Sequence, residues 1–109
     1  MEATTFSALG EPSRLQIVEM LRAGPAAVGE IADRLAIRQP QVSKHLRVLA
    51  ESGIVVAEPL ARRRIYHLEA APFEEIGAWV DSFEQVWERR LDSLGDYLRS
   101  ITSDREEDG

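Results

Sequence analysis

The chain has 109 residues, 44% of them hydrophobic and 29% charged, and this length and composition fit one folded, soluble domain. It contains no cysteine, which excludes disulfides, thiolate metal sites and thiol redox sensing. No apolar run approaches the roughly 20 residues that span a bilayer. The first residues lack the basic and apolar segments of a signal peptide, so we expect a cytoplasmic protein with no membrane partner.

Charge is distributed unevenly along the chain. The formal net charge is −6, yet the segment from Arg38 to Leu68 holds six basic residues against two acidic ones. Because salt screens charges over about 8–10 Å, one local basic surface can attract a polyanion even on an acidic protein. The pattern therefore favours a nucleic-acid surface in this segment. An uneven surface without a role is the alternative.

Three short helices are predicted first. A brief helix carries Phe6 and Leu9, and a second opens at Pro12, because proline fits the first helical turn, and ends before Gly24. A third is predicted over residues 28–35, with apolar residues at helical spacing. The inward residues are Leu15, Ile17, Val18 and Leu21 in the second helix, and Ile31, Ala32 and Leu35 in the third.

A fourth helix over residues 39–52 and a hairpin follow. The inner face of this helix is Val42, Leu46 and Leu49. The β-branched segment 54–58 and the segment 64–68 predict the two strands of the hairpin. The connection over residues 59–63 lacks the Asn-Gly or Asp-Gly of a tight turn, so we expect a looser, mobile loop there.

One long helix is predicted from Pro72 to about Ile101. Its apolar residues recur at spacings of three and four, which is close to a heptad repeat. Such a helix is a rod of roughly 45 Å, which the short helices of so small a domain cannot cover, so it needs a partner. The repeating residues are Phe73, Ile76, Val80, Phe83, Trp87, Leu91, Leu94, Leu98 and Ile101. We divide the chain into a domain over residues 1–102 and a disordered acidic tail over 103–109.

These elements form a mainly α fold with a small β-hairpin wing, in the order α-α-α-α-β-β-α. That is the plan of a winged helix-turn-helix, whose reading helix buries one face and offers the other to a DNA major groove. Glutamine can pair with adenine and lysine can read guanine, whereas serine, histidine and arginine more often hold phosphates. The candidate residues are Gln39, Gln41, Ser43, Lys44, His45 and Arg47 on the fourth helix, and Arg62, Arg63 and Arg64 in the wing.

The chain resembles the ArsR-type winged-helix repressor family over residues 6–68. The segments that carry the resemblance are FSALGEPSRLQIVEML, VGEIADRL, QPQVSKHLRVLAESGIV and RRRIYHL. The resemblance implies a homodimeric repressor that occupies an operator on double-stranded DNA through helix 39–52 and the wing 58–68. It also implies a dimer interface formed by Phe6, Leu9 and the long last helix.

Metal sensing is common in that family, but the ligands of its known sites are missing here. One family site needs cysteines in the third helix, where this chain has Ala27, Val28 and Gly29, and another uses histidines on the last helix, which has none. Metal sites need several convergent donors, so we expect no metal sensing and no cofactor. The wing also lacks the glycine that is common at its tip in the family.

Several residues allow a structural interpretation beside the functional one. His45 contacts DNA or packs within its helix, one wing arginine forms only a salt bridge with Glu58 or the last helix, and Arg14 ties helices together. His67 is expected to be structural. Trp79, Trp87 and Tyr97 fit a core or dimer seam better than a ligand pocket. Asp81, Glu84, Glu88 and Asp92 fit a solvated helix face better than a cation site.

Two other functions stay open. One is a repressor switched by an unknown small apolar molecule in the dimer seam, or by a protein inducer. The other is a protein-interaction module that has lost DNA binding. An enzyme is least expected, because the chain has no cysteine nucleophile and no glycine-rich phosphate loop.

Overall fold

The structure is a computed structural model that describes the backbone of residues 2–108 and the side chains of residues 2–102. That part of the chain forms helices and short strands in the order α1 (Ala3–Leu9), α2 (Pro12–Leu21), β1 (Ala26–Ala27), α3 (Val28–Leu35), α4 (Gln39–Glu51), β2 (Val55–Leu60), β3 (Arg63–Leu68), α5 (Ala70–Asp81) and α6 (Glu84–Asp108). The predicted mainly α fold with a winged hairpin is confirmed. The described residues fall into two compact units, which divide between Glu75 and Ile76.

The first unit has a closed apolar core. The inner face of α4 is fully buried, because the exposed fractions of Val42, Leu46 and Leu49 are all 0%. Spacings of four and three place these residues on one side of the helix. Ile17 from α2 and Ile31 from α3 are equally buried in the same cluster. The predicted inner faces of these helices are therefore confirmed at these positions.

Leu15 is an exception on α2. The prediction that it belongs to the core is wrong, because 46% of this residue is exposed. Ile17, Val18 and Leu21 form the buried face of the helix. At about 100° per residue, Leu15 lies about 115° from the centre of that face and so falls outside it.

A tight turn connects α3 to α4. Ala36 ends α3 in the left-handed conformation, at a φ of 55°, and its N–H donates to the carbonyl of Ala32. Arg38 is extended, and α4 then begins with Pro40 in its first turn, where a missing N–H costs nothing. The turn places α4 beside α3, as in a helix-turn-helix.

The sheet has three antiparallel strands in the order β1-β3-β2. Strand β1 was not predicted, because two alanines carry no β-branched signal. It is defined by its pairing, which sets Ala26 opposite Tyr66 and Ala27 opposite Ile65. The pairing attaches the wing directly to the segment that leads into α3.

The wing turn is tighter than predicted. Strand pairing continues to Leu60 and Arg63, so only Ala61 and Arg62 form the turn, and the prediction of a loose loop over residues 59–63 is wrong. Ala61 adopts a φ of 57°, which supplies the positive φ that a two-residue hairpin needs without a glycine. Pro59 fits this arrangement because β2 is an edge strand.

The C-terminal region forms two helices rather than one. The N–H of Phe83 donates to the carbonyl of Val80, only three residues back, at 3.1 Å. The hydroxyl of Ser82 donates to the carbonyl of Trp79 at 2.5 Å, and such a side-chain bond competes with helix continuation. The predicted single helix over residues 72–101 is therefore wrong at this break.

The backbone of α6 continues to Asp108, past the predicted end near Ile101. The predicted disordered tail, residues 103–109, falls outside the residues whose side chains are described. Within the described residues, no helix combines the length and the apolar character that crossing a bilayer requires.

Candidate nucleic-acid interface

The outer face of α4 is polar and exposed. Gln41, Ser43, Lys44 and Arg47 all lie on it, and Gln39 is exposed in the first turn of the helix. Among the described residues, none of these five side chains has a hydrogen-bond or ion-pair partner. The buried inner face holds the helix in place, while the outer face presents unused donors and acceptors. This is the arrangement that a major-groove reading helix requires.

Gln39 lies close to the first turn of α3. A Cβ added to Gly29 would be 3.3 Å from the side-chain amide nitrogen of Gln39. That distance is tighter than ordinary van der Waals contact, so a larger residue at position 29 would push this amide aside. Gly29 therefore leaves room for the first polar side chain of α4.

His45 differs from its neighbours on α4. Its side chain is 21% exposed, and its Nδ1 lies 3.7 Å from Oε2 of Glu11. Glu11 caps α2, since the same carboxylate oxygen accepts a hydrogen bond from the N–H of Arg14 at 2.9 Å. His45 therefore lies beside the start of α2, as its structural interpretation requires, although at 3.7 Å the two atoms are too far apart for a hydrogen bond. Its DNA contact stays a prediction.

Arg14 joins α1 to α2, which confirms its predicted structural role. Its Nε donates to the carbonyl of Ala8 at 2.6 Å, and its Nη2 donates to that of Ser7 at 3.3 Å. These carbonyls lie at the end of α1, where a cation is favourable. The side chain of Arg14 thus bonds to the end of α1, while its backbone N–H bonds to the cap of α2.

The three wing arginines have different surroundings, although all are exposed. The guanidinium of Arg63 pairs with the carboxylate of Glu30, in the first turn of α3. Among the described residues, the side chains of Arg62 and Arg64 have no ion-pair partner. One wing arginine forms a salt bridge, as expected, but the predicted partners were wrong, because the acid is Glu30 of α3 and neither Glu58 nor a residue of the last helix.

Glu58 pairs with His67 across the two strands of the wing. Nε2 of His67 lies 3.0 Å from Oε1 of Glu58, and its Nδ1 lies 3.3 Å from the carbonyl oxygen of Leu68. The carbonyl of Leu68, and then the carboxylate of Glu58, stabilise the imidazolium and raise the pKa of His67 above its ordinary value. These contacts agree with the structural role predicted for His67.

The second unit exposes an apolar stripe on α6. Trp87, Leu91, Leu94 and Leu98 are between 52% and 67% exposed. Exposed apolar surface that forms a continuous patch marks an interaction site. The rings of Trp79 and Phe83 meet edge to face at 4.9 Å, and with Val80 and Trp87 they line an apolar hollow of about 260 Å³.

The other candidate interface residues lie partly within the first unit. Phe6 is 40% exposed, whereas Leu9 and Phe73 are partly buried against the core of that unit. Among the described residues, no three histidine or carboxylate side chains lie close enough together to hold a metal ion.

Helices α3 and α4, followed by the β2–β3 hairpin, define a winged helix-turn-helix. A family model described as a helix-turn-helix domain matches residues 9–58. The HTH-type transcriptional regulator Rv2034 of Mycobacterium tuberculosis is 35% identical over 99 residues, which cover 91% of this chain and 90% of the relative.

Solved structures are similar as well. The homodimeric winged helix-turn-helix DNA-binding domain Mb0332 from Mycobacterium bovis, a possible ArsR-family regulator, is 28% identical, with a TM-score of 0.64 over 76% of this chain and 77% of that one. The transcriptional repressor BigR from Xylella fastidiosa is 35% identical, with a TM-score of 0.61 over 74% of this chain and 84% of that one. The chain belongs to the ArsR-type family of winged helix-turn-helix transcriptional regulators.

The ion pair of Glu30 with Arg63 was not predicted from the sequence. An acidic residue in the first turn of a helix is usually explained by the helix dipole alone. Only the pairing of β1 with β3, which the sequence did not predict, brings this turn close to the wing arginines.

Proposed function

We propose that the protein is a homodimeric, sequence-specific DNA-binding repressor that occupies an operator through α4 and the wing. The observation that carries this proposal is the contrast between the two faces of α4. Three side chains on its inner face are fully buried, whereas five other side chains of the helix are exposed polar or charged groups. A face with this chemistry fits base edges and phosphates.

In this proposal α4 lies in the major groove. Gln39 and Gln41 read adenine, Lys44 reads guanine, and the remaining polar residues of the helix hold phosphates. Ser43 and Arg47 lie on the exposed face, and His45 reaches DNA only from its half-buried position beside Glu11. The wing arginines Arg62, Arg63 and Arg64 approach the backbone or the minor groove.

A second copy of the chain covers the exposed apolar stripe. The Mycobacterium bovis relative is described as homodimeric, which supports the same assembly here. A two-fold dimer reads two half-sites about one helical turn apart. The proposed interface residues are Phe6, Leu9, Phe73, Ile76, Val80, Phe83, Trp87, Leu91, Leu94 and Leu98.

Repression follows from occupancy, since a dimer bound at an operator blocks access to the promoter. The relative from Xylella fastidiosa is named a transcriptional repressor, which favours repression over activation. This function needs no catalytic group and no cofactor.

Fluorescence anisotropy tests the proposal. A labelled duplex from the region upstream of the protein's own gene is titrated at two salt concentrations, beside a scrambled duplex of the same composition. We expect tighter binding to the upstream duplex, weakening steeply with salt because bound phosphates release counterions.

Absence of binding to either duplex would count against a DNA-binding repressor and favour a protein-interaction module. Sedimentation velocity on the same samples measures the assembly separately, and a monomer that binds DNA would contradict the proposed dimer alone.

A further inference from the structure

One wing arginine differs from the other two in a way that bears on DNA affinity. Within the part of the chain that the structure describes, Arg63 alone among them has an acidic partner. We propose that Glu30 is an internal competitor for the phosphate that Arg63 would otherwise hold, so that Glu30 limits the affinity of the wing for DNA. This inference rests on the proposed DNA-binding function.

The backbone holds Glu30 close to the wing. Strand β1 pairs with the middle of β3, with Ala27 opposite Ile65, and α3 begins at the next residue. The first turn of α3, which contains Glu30, therefore lies beside the end of β3 that begins with Arg63. Arg63 is itself paired with Leu60, so it lies within the β2–β3 ladder and not in the turn.

Carboxylate and phosphate compete for the same group on arginine. Each presents paired oxygens to the planar guanidinium, and each forms charge-assisted hydrogen bonds with it. Arg63 and Glu30 keep 58% and 53% of their side-chain surfaces exposed, so this ion pair is accessible and not sealed in the core. A phosphate can therefore reach Arg63, but it must displace the carboxylate of Glu30.

Glu30 also has a place in the fold that does not need Arg63. It lies in the first turn of α3, where a negative charge is favourable beside the helix N-terminus. Because the ion pair is exposed, Glu30→Gln should leave the folded structure intact. Its effect on DNA binding can then be separated from any effect on folding.

The test is a double-mutant cycle on DNA affinity with the full chain, using the upstream and scrambled duplexes. The variants are Glu30→Gln, Arg63→Gln and the two combined. We expect Glu30→Gln to tighten binding about two- to fivefold for each protomer at low salt, the range that one exposed ion pair accounts for. The same substitution in the Arg63→Gln background should change nothing, because the competing arginine is gone.

Salt dependence gives a second measurement on the same variants. An arginine released to hold one more phosphate steepens the slope of log affinity against log salt by up to about 0.9 for each protomer. We expect this steeper slope for Glu30→Gln and not for the double variant. Circular dichroism of each variant checks that its fold is unchanged.

Asp33→Asn is the matched control. Asp33 is exposed on the same helix, one turn further along, and the substitution removes the same charge. Equal tightening by Asp33→Asn, or by Glu30→Gln in the Arg63→Gln background, would show general repulsion of DNA and overturn the inference.

Weaker binding of DNA by the Glu30→Gln variant would instead indicate that the ion pair stabilises the wing in its binding position. That result also overturns the inference. Failure of the wild-type protein to bind either duplex is a separate result, since it removes the proposed function and this inference together.

Discussion

The two units of the molecule use apolar residues in opposite ways. In the first, Leu46 and Leu49 have exposed fractions of 0%, whereas in the second Leu91 and Leu94 are 67% and 52% exposed. The helical spacing of the leucines is the same in both, so periodicity alone does not show whether a stripe faces its own chain or a partner. The first unit completes its own core, and the second displays a surface that we propose a second copy covers.

The largest effect is expected in the closed core. Leu46→Ala should lower the free energy of unfolding by about 2–5 kcal/mol, because it removes buried methyl groups and leaves a cavity. Urea denaturation followed by circular dichroism measures this loss.

Leu91→Ala is the matched control, since it deletes the same atoms from a side chain that is 67% exposed. It should lower the free energy of unfolding by less than about 1 kcal/mol, measured at protein concentrations low enough for the chain to be monomeric. Similar losses for the two variants would contradict the difference between the units.

A charge introduced into the apolar stripe on α6 tests whether this stripe is the dimer interface. Leu91→Glu should yield monomers, because a carboxylate buried at the centre of an interface without a partner costs about 2 kcal/mol or more. Affinity for DNA should fall with it, since one protomer holds only one half-site. Sedimentation velocity measures the assembly, and anisotropy measures the affinity.

Gln85→Glu adds the same charge to an exposed position on the other side of α6, about 150° from the centre of the stripe at 100° per residue. It should leave the dimer unchanged. A Leu91→Glu variant that still sediments as a dimer would rule out this seam.

The reading helix offers a smaller effect that is confined to the first unit. Lys44→Ala should weaken DNA binding by about 1–3 kcal/mol and relax the sequence preference, provided that Lys44 reads a base. The dimer should persist, in contrast to Leu91→Glu. Unchanged affinity and unchanged preference in anisotropy titrations with the two duplexes would remove this role from Lys44.

The smallest effect concerns pH and the wing. Because the folded state raises the pKa of His67 above its ordinary value of 6.5, the protonated ring stabilises the fold. This contribution is complete below that value and is lost as the pH rises through the raised pKa. The free energy of unfolding should therefore fall more for the wild-type protein than for His67→Gln between about pH 6 and about pH 8.

Glu58→Gln should reduce this pH dependence without abolishing it, because the carbonyl of Leu68, the first cause of the raised pKa of His67, remains. If the free energy of unfolding changed equally with pH in the wild-type protein and in His67→Gln, the raised pKa of His67 would be contradicted.

Prediction from sequence succeeded where the signal is local. Val42, Leu46 and Leu49 lie on the buried face of α4 as their spacing indicated, and Pro12 opens α2. The break at Ser82 was missed because Phe83 continues an apolar pattern that looks like one helix. The hydroxyl bond of Ser82 to the carbonyl of Trp79, which marks the break, leaves no trace in the spacing.

Non-local contacts account for most of the other differences. Strand β1 exists through its pairing with β3, and the pair Arg63–Glu30 follows from that pairing. The tight wing turn depends on the positive φ of Ala61. Residues other than glycine and asparagine rarely adopt a positive φ, so the alanine gave no sign of this turn in the sequence. The candidate DNA residues on α4 were predictable as an exposed polar face, but the different surroundings of His45 and Arg63 required the fold.

The pairing of Ala26 with Tyr66 closes a loop of chain that contains both α3 and α4. Closing a long loop has an entropic cost that must be met before its contacts form, so we expect this pairing to arise late in folding. This pairing attaches the wing to the segment that leads into α3, and it thereby fixes the position of the wing relative to α4. A chain that lacks this pairing would hold α4 without a placed wing, so we expect competence for DNA binding to depend on it.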